Sequence, residues 1–258
     1  MKLKKVMALT MAGAMAATTL TACGSSSSTT ETTKAAETTA AAAADTTAAA
    51  AADNGSSDAE TVLQVAFENS ISEPVGQGWE KAQEIIKEKS GGKMAIEIYP
   101  DSQLGDKSSL IDSMLLGENV CTLADGAFYA DYGVPDFGIV FGPFLFDSWD
   151  QVWKLVDSDW YKEQCGKLEE KGLKIIASNW IYGERHTLTN VPVNTVDDLK
   201  GLKIRVPSNE IQSKGFDVLG ATSTGMALGD VYQALQTKTI DGAENRLQLC
   251  TAESFTRL

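Results

Sequence analysis

DLKGLKIRVPSNEIQSKGFDVLGATSTGMALGDVYQALQTKTIDGAEN, residues 198–245, alternates short β-rich runs with amphipathic segments and reads as strand, helix, strand, helix, strand. Leu202–Val206 is a strand that stops at Pro207, because proline lacks the N–H that a ladder needs and disfavours helix at the residue before it. Ser208 or Asn209 is placed to cap the next helix, and Gly220 fits just past its end. After the Thr-rich segment that follows, Val231, Ala234 and Leu235 share one helical face. Thr239–Asn245 reads as a further strand, broken at Gly242. Arg205 therefore stands at the carboxyl end of a strand, where open α/β sheets bind ligands. Its guanidinium is a rigid fork that pairs bidentately with a carboxylate, which makes Arg205 the first candidate for holding an acid. An exposed arginine, or one in a structural ion pair, is the plainer alternative.

Upstream the same grammar repeats. Val62–Phe67 is a strand, Val75–Ser90 a helix with Trp79, Ala82, Ile85 and Ile86 at helical spacing, and Met94–Tyr99 a second strand after Gly91-Gly92. Strand, helix, strand at these lengths implies a parallel sheet with a right-handed crossover. A helix over Lys107–Leu116 leads to a short strand, Val120–Asp125, that ends on an acid. Asp106 is an N-cap candidate for that helix. Pro143–Phe146 and the set Trp149, Trp153 and Val156 read as core, Leu173–Ala177 as a strand, and Asn179–Arg185 as a crossing into a second domain.

Lys2, Lys4 and Lys5 precede an uncharged stretch, Val6–Ala22, with the layout of a secretory signal. An ordinary signal peptide or a single anchoring span are the alternatives, although the apolar run is short and interrupted by threonine for a spanning helix. From Gly24 to about Asp58 the chain is almost all Ser, Thr, Ala and Gly with a few acids, which cannot bury enough surface to offset ordering and reads as a flexible tether. Removing residues 1–22 takes away three lysines and no acids, so the formal charge moves from −13 to −16. Such an acidic chain argues against nucleic-acid binding and against holding an anionic membrane by charge.

Cys121, Cys165 and Cys250 show no CxxC or metal-like spacing, so no disulfide framework, zinc site or other metal site is expected, although one pair remains able to form a bridge. There is no nucleophile elbow, HxxxH, Walker loop, dinucleotide glycine signature or redox pair, and His186 is the sole histidine. The expectation is a binder without cofactor, not an enzyme.

The GLKIRVP, LGATSTGMALGDVYQALQT and DGAEN segments, with YPDSQLGD (99–106), FGPFLF (141–146) and YGERHTLTN (182–190), resemble the substrate-binding proteins of TRAP transporters, the DctP-type family, over about residues 60–250. Leu20-Thr21-Ala22-Cys23 similarly resembles a bacterial lipobox, which implies cleavage before Cys23 and a lipid on the new amino terminus. The family resemblance implies an α/β, two-domain, type II periplasmic-binding-protein-like fold with a ligand cleft between the domains. It divides the chain into a signal (1–22), a lipidated tether (23–58), a first domain (59–181) and a second (182–258). It implies that Arg205 makes the principal pair with a ligand carboxylate, Arg185, twenty positions earlier, adds a second donor, and Asn245, forty later, an amide contact. Asp106 and Asp125 would face them across the cleft; many relatives carry Glu at the latter position. The implied function is capture of a small organic acid, a dicarboxylate, sugar acid or keto acid, and its delivery to TRAP permease subunits in the membrane. A sensory lipoprotein reporting to a receptor kinase, or a surface-attachment lipoprotein, are the alternatives. Family members continue well past the DGAEN segment, and Arg246 stands where they usually have proline, so a missing C-terminal part is expected, through truncation, frameshift or fragmentation.

Overall fold

The structure, a computed structural model, describes residues 59–246. The signal, the tether, Cys23, Cys250 and the chain beyond Arg246 lie outside the described residues.

Strand β1 (Thr61–Ala66) runs into helix α1 (Pro74–Lys89), which returns to β2 (Met94–Tyr99). The two strands pair in parallel from Thr61 opposite Met94 to Ala66 opposite Tyr99. Pro74 opens α1, where its missing N–H costs nothing. Gly91 and Gly92 end the turn after it with φ of 63° and 82°, a region that L side chains avoid. Helix α2 (Lys107–Leu115) carries the chain to β3 (Val120–Cys121), which lies parallel to β1 on the side away from β2. Val65, Phe67, Val75, Trp79, Ile96 and Ile98 close the core between α1 and this sheet. Helices α3 (Gly126–Asp131), α4 (Trp149–Val156) and α5 (Asp159–Glu170) follow, and Phe128, Phe137, Leu168 and Leu173 form a second cluster with Ile111 of α2.

The later part of the chain builds a four-stranded sheet from β4 (Arg185–Thr189), β5 (Lys203–Val206), β6 (Thr222–Gly225) and β7 (Gly242–Arg246), in the order β4-β7-β5-β6. Helix α6 (Glu210–Val218) joins β5 to β6 and α7 (Val231–Gln236) joins β6 to β7. Strand β5 is parallel to both its neighbours, whereas β4 runs antiparallel to β7. Leu228, Val231, Ala234, Ile240 and Ala243 pack behind it.

The two sheets share a winding. In the first, β1 connects to β2 on one side and then to β3 on the other; in the second, β5 connects to β6 on one side and then to β7 on the other. In each case the order reverses beside the first strand, and a reversal of this kind leaves a crevice at the strands' carboxyl ends.

Five sequence expectations are corrected. Leu173–Ala177 is not a strand: its β propensity finds no sheet edge to pair with among the described residues, and Ile176 is exposed. Val120–Asp125 pairs only over Val120–Cys121. Phe144 is not core but fully exposed at φ 56°, and Leu145 is largely exposed. Trp149 is exposed too, and α4 buries none of its residues. Gly242 begins β7 instead of breaking a strand, because its bare Cα lies against the Leu188 carbonyl of β4, where a Cβ would collide.

Candidate functional site

Arg205 is the penultimate residue of β5, level with Thr224 of β6 and Ala243 of β7. It is 3% exposed. Its Nε and Nη2 donate to the Met226 carbonyl at 3.0 and 2.7 Å, and Nη1 to the Glu244 carbonyl at 3.4 Å. Three of five guanidinium hydrogens are thus directed at backbone, leaving two for another acceptor. Arg205 enters no ion pair among the described residues. Burial, with a contribution from the nearby Arg185 charge and against the pull of Glu68 and Glu244, pushes its pKa down to about 10. The group remains a cation at neutral pH.

A narrow crevice lies in front of this guanidinium. One wall is Arg205, Pro207, Ser208, Met226 and Ala227; the other is Glu68, Asp106, Lys107, Ser108 and Phe128. Its free space is about that of a single water. Both walls come from the carboxyl ends of strands: Glu68 two residues past β1, and Pro207 and Ser208 directly after β5. The amino end of α2 supplies Asp106, Lys107 and Ser108 beside Glu68, and α3 supplies Phe128.

Of the site residues expected from the sequence, the structure brings Arg205 and Asp106 to this crevice. Asp106 also caps α2, its Oδ1 accepting from Ser109 N at 2.8 Å. Asp125 sits beside the crevice. Its Oδ1 accepts from Ala127 N at 3.0 Å at the start of α3, and its Oδ2 lies 4.0 Å from Nζ of Lys107, which is itself 4.7 Å from the centre of the Phe128 ring. Arg185 does not line the crevice: Nε and Nη2 both donate to the Glu244 carboxylate, the latter at 2.5 Å, while Gln212 donates to that same carboxylate at 2.9 Å. Burial works against the Arg185 charge, but Glu244 outweighs it and holds the guanidinium above its ordinary value. Asn245 is buried in β7, its Oδ1 accepting from the Arg246 N–H at 2.9 Å. His186 is exposed.

Sequence reasoning missed Glu68 and Glu244. Glu68 was within reach of the argument that selected Arg205, since it follows a strand's carboxyl end at a reversal of strand order. Glu244 had no such signal, because its role depends on β4 pairing with β7. Around the crevice the two sheets are tied together. Glu68 Oε1 accepts from Leu228 N at 3.1 Å, Asp131 from Glu210 N at 2.9 Å, and the Tyr182 hydroxyl from Asn69 at 3.1 Å. Arg246 forms a buried ion pair with Glu73 at 2.5 Å and stacks over the Tyr182 ring at 4.4 Å.

A two-sheet α/β chain with a crevice between the carboxyl ends of its strands has the architecture of a type II periplasmic binding protein. Residues 65–258 match the bacterial extracellular solute-binding proteins of family 7, DctP, and the chain belongs to that family. Its members are solute-binding proteins rather than enzymes. The chain is 33% identical over 172 residues to the C4-dicarboxylate-binding periplasmic protein DctP of Rhodobacter capsulatus, covering 67% of this chain and 51% of that one. It is 30% identical over 205 residues to the sialic acid-binding periplasmic protein SiaP of Vibrio cholerae, covering 78% and 62%. A crystal structure of a TRAP periplasmic solute-binding protein from Ochrobacterium anthropi with bound L-fuconate superposes with a TM-score of 0.74 at 38% identity, over 76% of this chain and 65% of that one. The chain thus spans about half to three-fifths of the length of these curated relatives.

Proposed function

We propose that this protein captures a small organic acid in the crevice between its two sheets, with Arg205 pairing to the ligand carboxylate, and hands it to the membrane subunits of a TRAP permease. The observation that carries the reading is Arg205 itself. A buried guanidinium without a carboxylate partner is expensive, and a ligand carboxylate meeting its two remaining N–H groups completes it. Arg185, oriented by Glu244, and Asn245 stand outside the crevice on the Arg205 side, and Asp106 and Asp125 on the far side; as secondary contacts they meet a ligand once the crevice, whose free space is now about one water, parts to admit it. The first sheet with its helices (59–181) and the second (182–258) act as the two halves of the clamp. No cofactor and no catalysis are invoked. Anchoring through a lipid on Cys23, on the outer face of the membrane, keeps the binder near its permease.

Titration calorimetry of the purified chain with a panel of organic acids tests this. Arg205→Ala removes one partner of a buried charge pair, an effect of about 2–5 kcal/mol, or roughly thirty-fold or more in Kd. Unchanged affinity in Arg205→Ala refutes the mechanism.

A further inference from the structure

Beside the crevice, the helices that follow its two walls are fastened to each other. Helix α3, which carries Phe128 in one wall, ends at Asp131; α6 starts at Glu210, directly after Pro207 and Ser208 of the other wall and the cap Asn209. The first amides of a helix have no acceptor within it. In α6 the Asn209 side chain accepts from Gln212 N at 2.9 Å, and Asp131 Oδ2 reaches across from α3 to accept from Glu210 N, also at 2.9 Å. A carboxylate placed there also meets the positive end of the helix dipole. One residue further on, Ile211 seats its Cδ1 against the bare Cα of buried Gly138, in the 3₁₀ turn Pro135–Phe141, where a Cβ would collide with it. Neither Asp131 nor Ile211 lines the crevice. Both hold the arrangement in which the crevice has about the free space of a single water, less than any organic acid needs.

Resting on the acid-binding reading above, we infer that the α3–α6 contact is an autoinhibitory latch. The shut arrangement it stabilises excludes the ligand, so an acid enters only those molecules in which α6 has parted from α3. Apparent affinity is reduced by that fraction. Loosening the latch therefore tightens binding. Contacts that served to close the halves around a bound acid would do the reverse, since their loss would weaken it.

Calorimetry on the full chain with gluconate, succinate and pyruvate tests this in the parent, Asp131→Ala and Ile211→Ala. For whichever of these acids the parent binds, each variant is expected to lower Kd by about threefold or more. Ile211→Ala alters no charge, so its gain does not come from a weaker negative field. Amide hydrogen exchange without ligand reads the latch separately. The acceptor of Leu228 N–H is Glu68 across the crevice, so this amide is expected to lose protection by about threefold or more in both variants, although the changes lie on α3 and α6. Weaker or unchanged binding in Ile211→Ala overturns the inference, and so does Leu228 protection that stays at the parent's level. If Ile211→Ala does not fold, Asp131→Ala, at an exposed position, decides by the same two readouts. Binding of an acid by a latch variant where the parent binds none supports the inference. Arg205→Ala separates the two levels: if it binds the acid as well as the parent does, or if parent and latch variants alike bind none, the acid-binding reading falls and the latch with it. If Arg205→Ala abolishes binding while the latch variants bind no more tightly than the parent, only the latch falls.

Discussion

Replacing Arg205 by methionine, a neutral side chain of similar length, is expected to leave the ligand-free protein about as stable as the parent while removing its ligand anchor. The guanidinium sits at about 10, well below its ordinary value. At 1.36 kcal/mol per tenfold, that depression is worth about 3 kcal/mol against the charged form. The sign follows from proton counting. Between about pH 10 and the ordinary guanidinium value the unfolded chain binds more protons than the folded one, so stability from this group rises with pH across that window. Below it the burial penalty is present in full, and at neutral pH it is undiminished. Methionine removes the penalty but also the bonds to the Met226 and Glu244 carbonyls, at about 1 kcal/mol each. The three bonds offset the removed penalty, so the net expectation is a stability within about 1 kcal/mol of the parent's, or within roughly 2–4 °C in Tm for an ordered part of this size. Equilibrium urea unfolding without ligand, at unchanged slope, measures it. A loss of more than about 1 kcal/mol would show that the buried charge is compensated within the protein, and the argument that it awaits a ligand carboxylate would fail.

Glu244→Ala should destabilise. It leaves Arg185 without its partner beside Arg205, and because Arg185 is about a quarter exposed the expected loss is about 2 kcal/mol, below the range for fully buried pairs. Urea denaturation reads this directly, and a change smaller than about 0.5 kcal/mol would show that the pair carries little weight. Gly242→Ala pushes a methyl against the Leu188 carbonyl and Ile204, so a loss of about 1–3 kcal/mol is expected from overpacking. A thermal midpoint equal to the parent's would mean that β4 and β7 are not held at this spacing.

Local signals carried the sequence reading a long way. Periods of two and of 3.6, Pro207 as a stop, Gly91, Gly92 and Gly220 as ends, and Asn209 as one of two cap candidates depend on a few neighbouring residues, so they survive without knowledge of the fold. Those same signals placed Arg205 at a strand's carboxyl end. They failed where an element needs a partner. Leu173–Ala177 has the composition of a strand but no edge to join among the described residues, and Phe144 has the composition of core but nothing to cover it.

What the sequence determined by itself is the succession of β-α-β units and the residue type at each strand end, because propensity, capping and turn chemistry act over short range. What only the tertiary structure decided is which charges meet. Antiparallel pairing of β4 with β7 brings Glu244 to Arg185, 59 positions away in sequence, and so withdraws that arginine from the crevice. Docking of the two sheets brings Glu68 to Leu228, 160 positions away, and sets its carboxylate opposite Arg205. Charge partnership depends on register and on the approach of distant segments, and neither is encoded in any window of neighbouring residues.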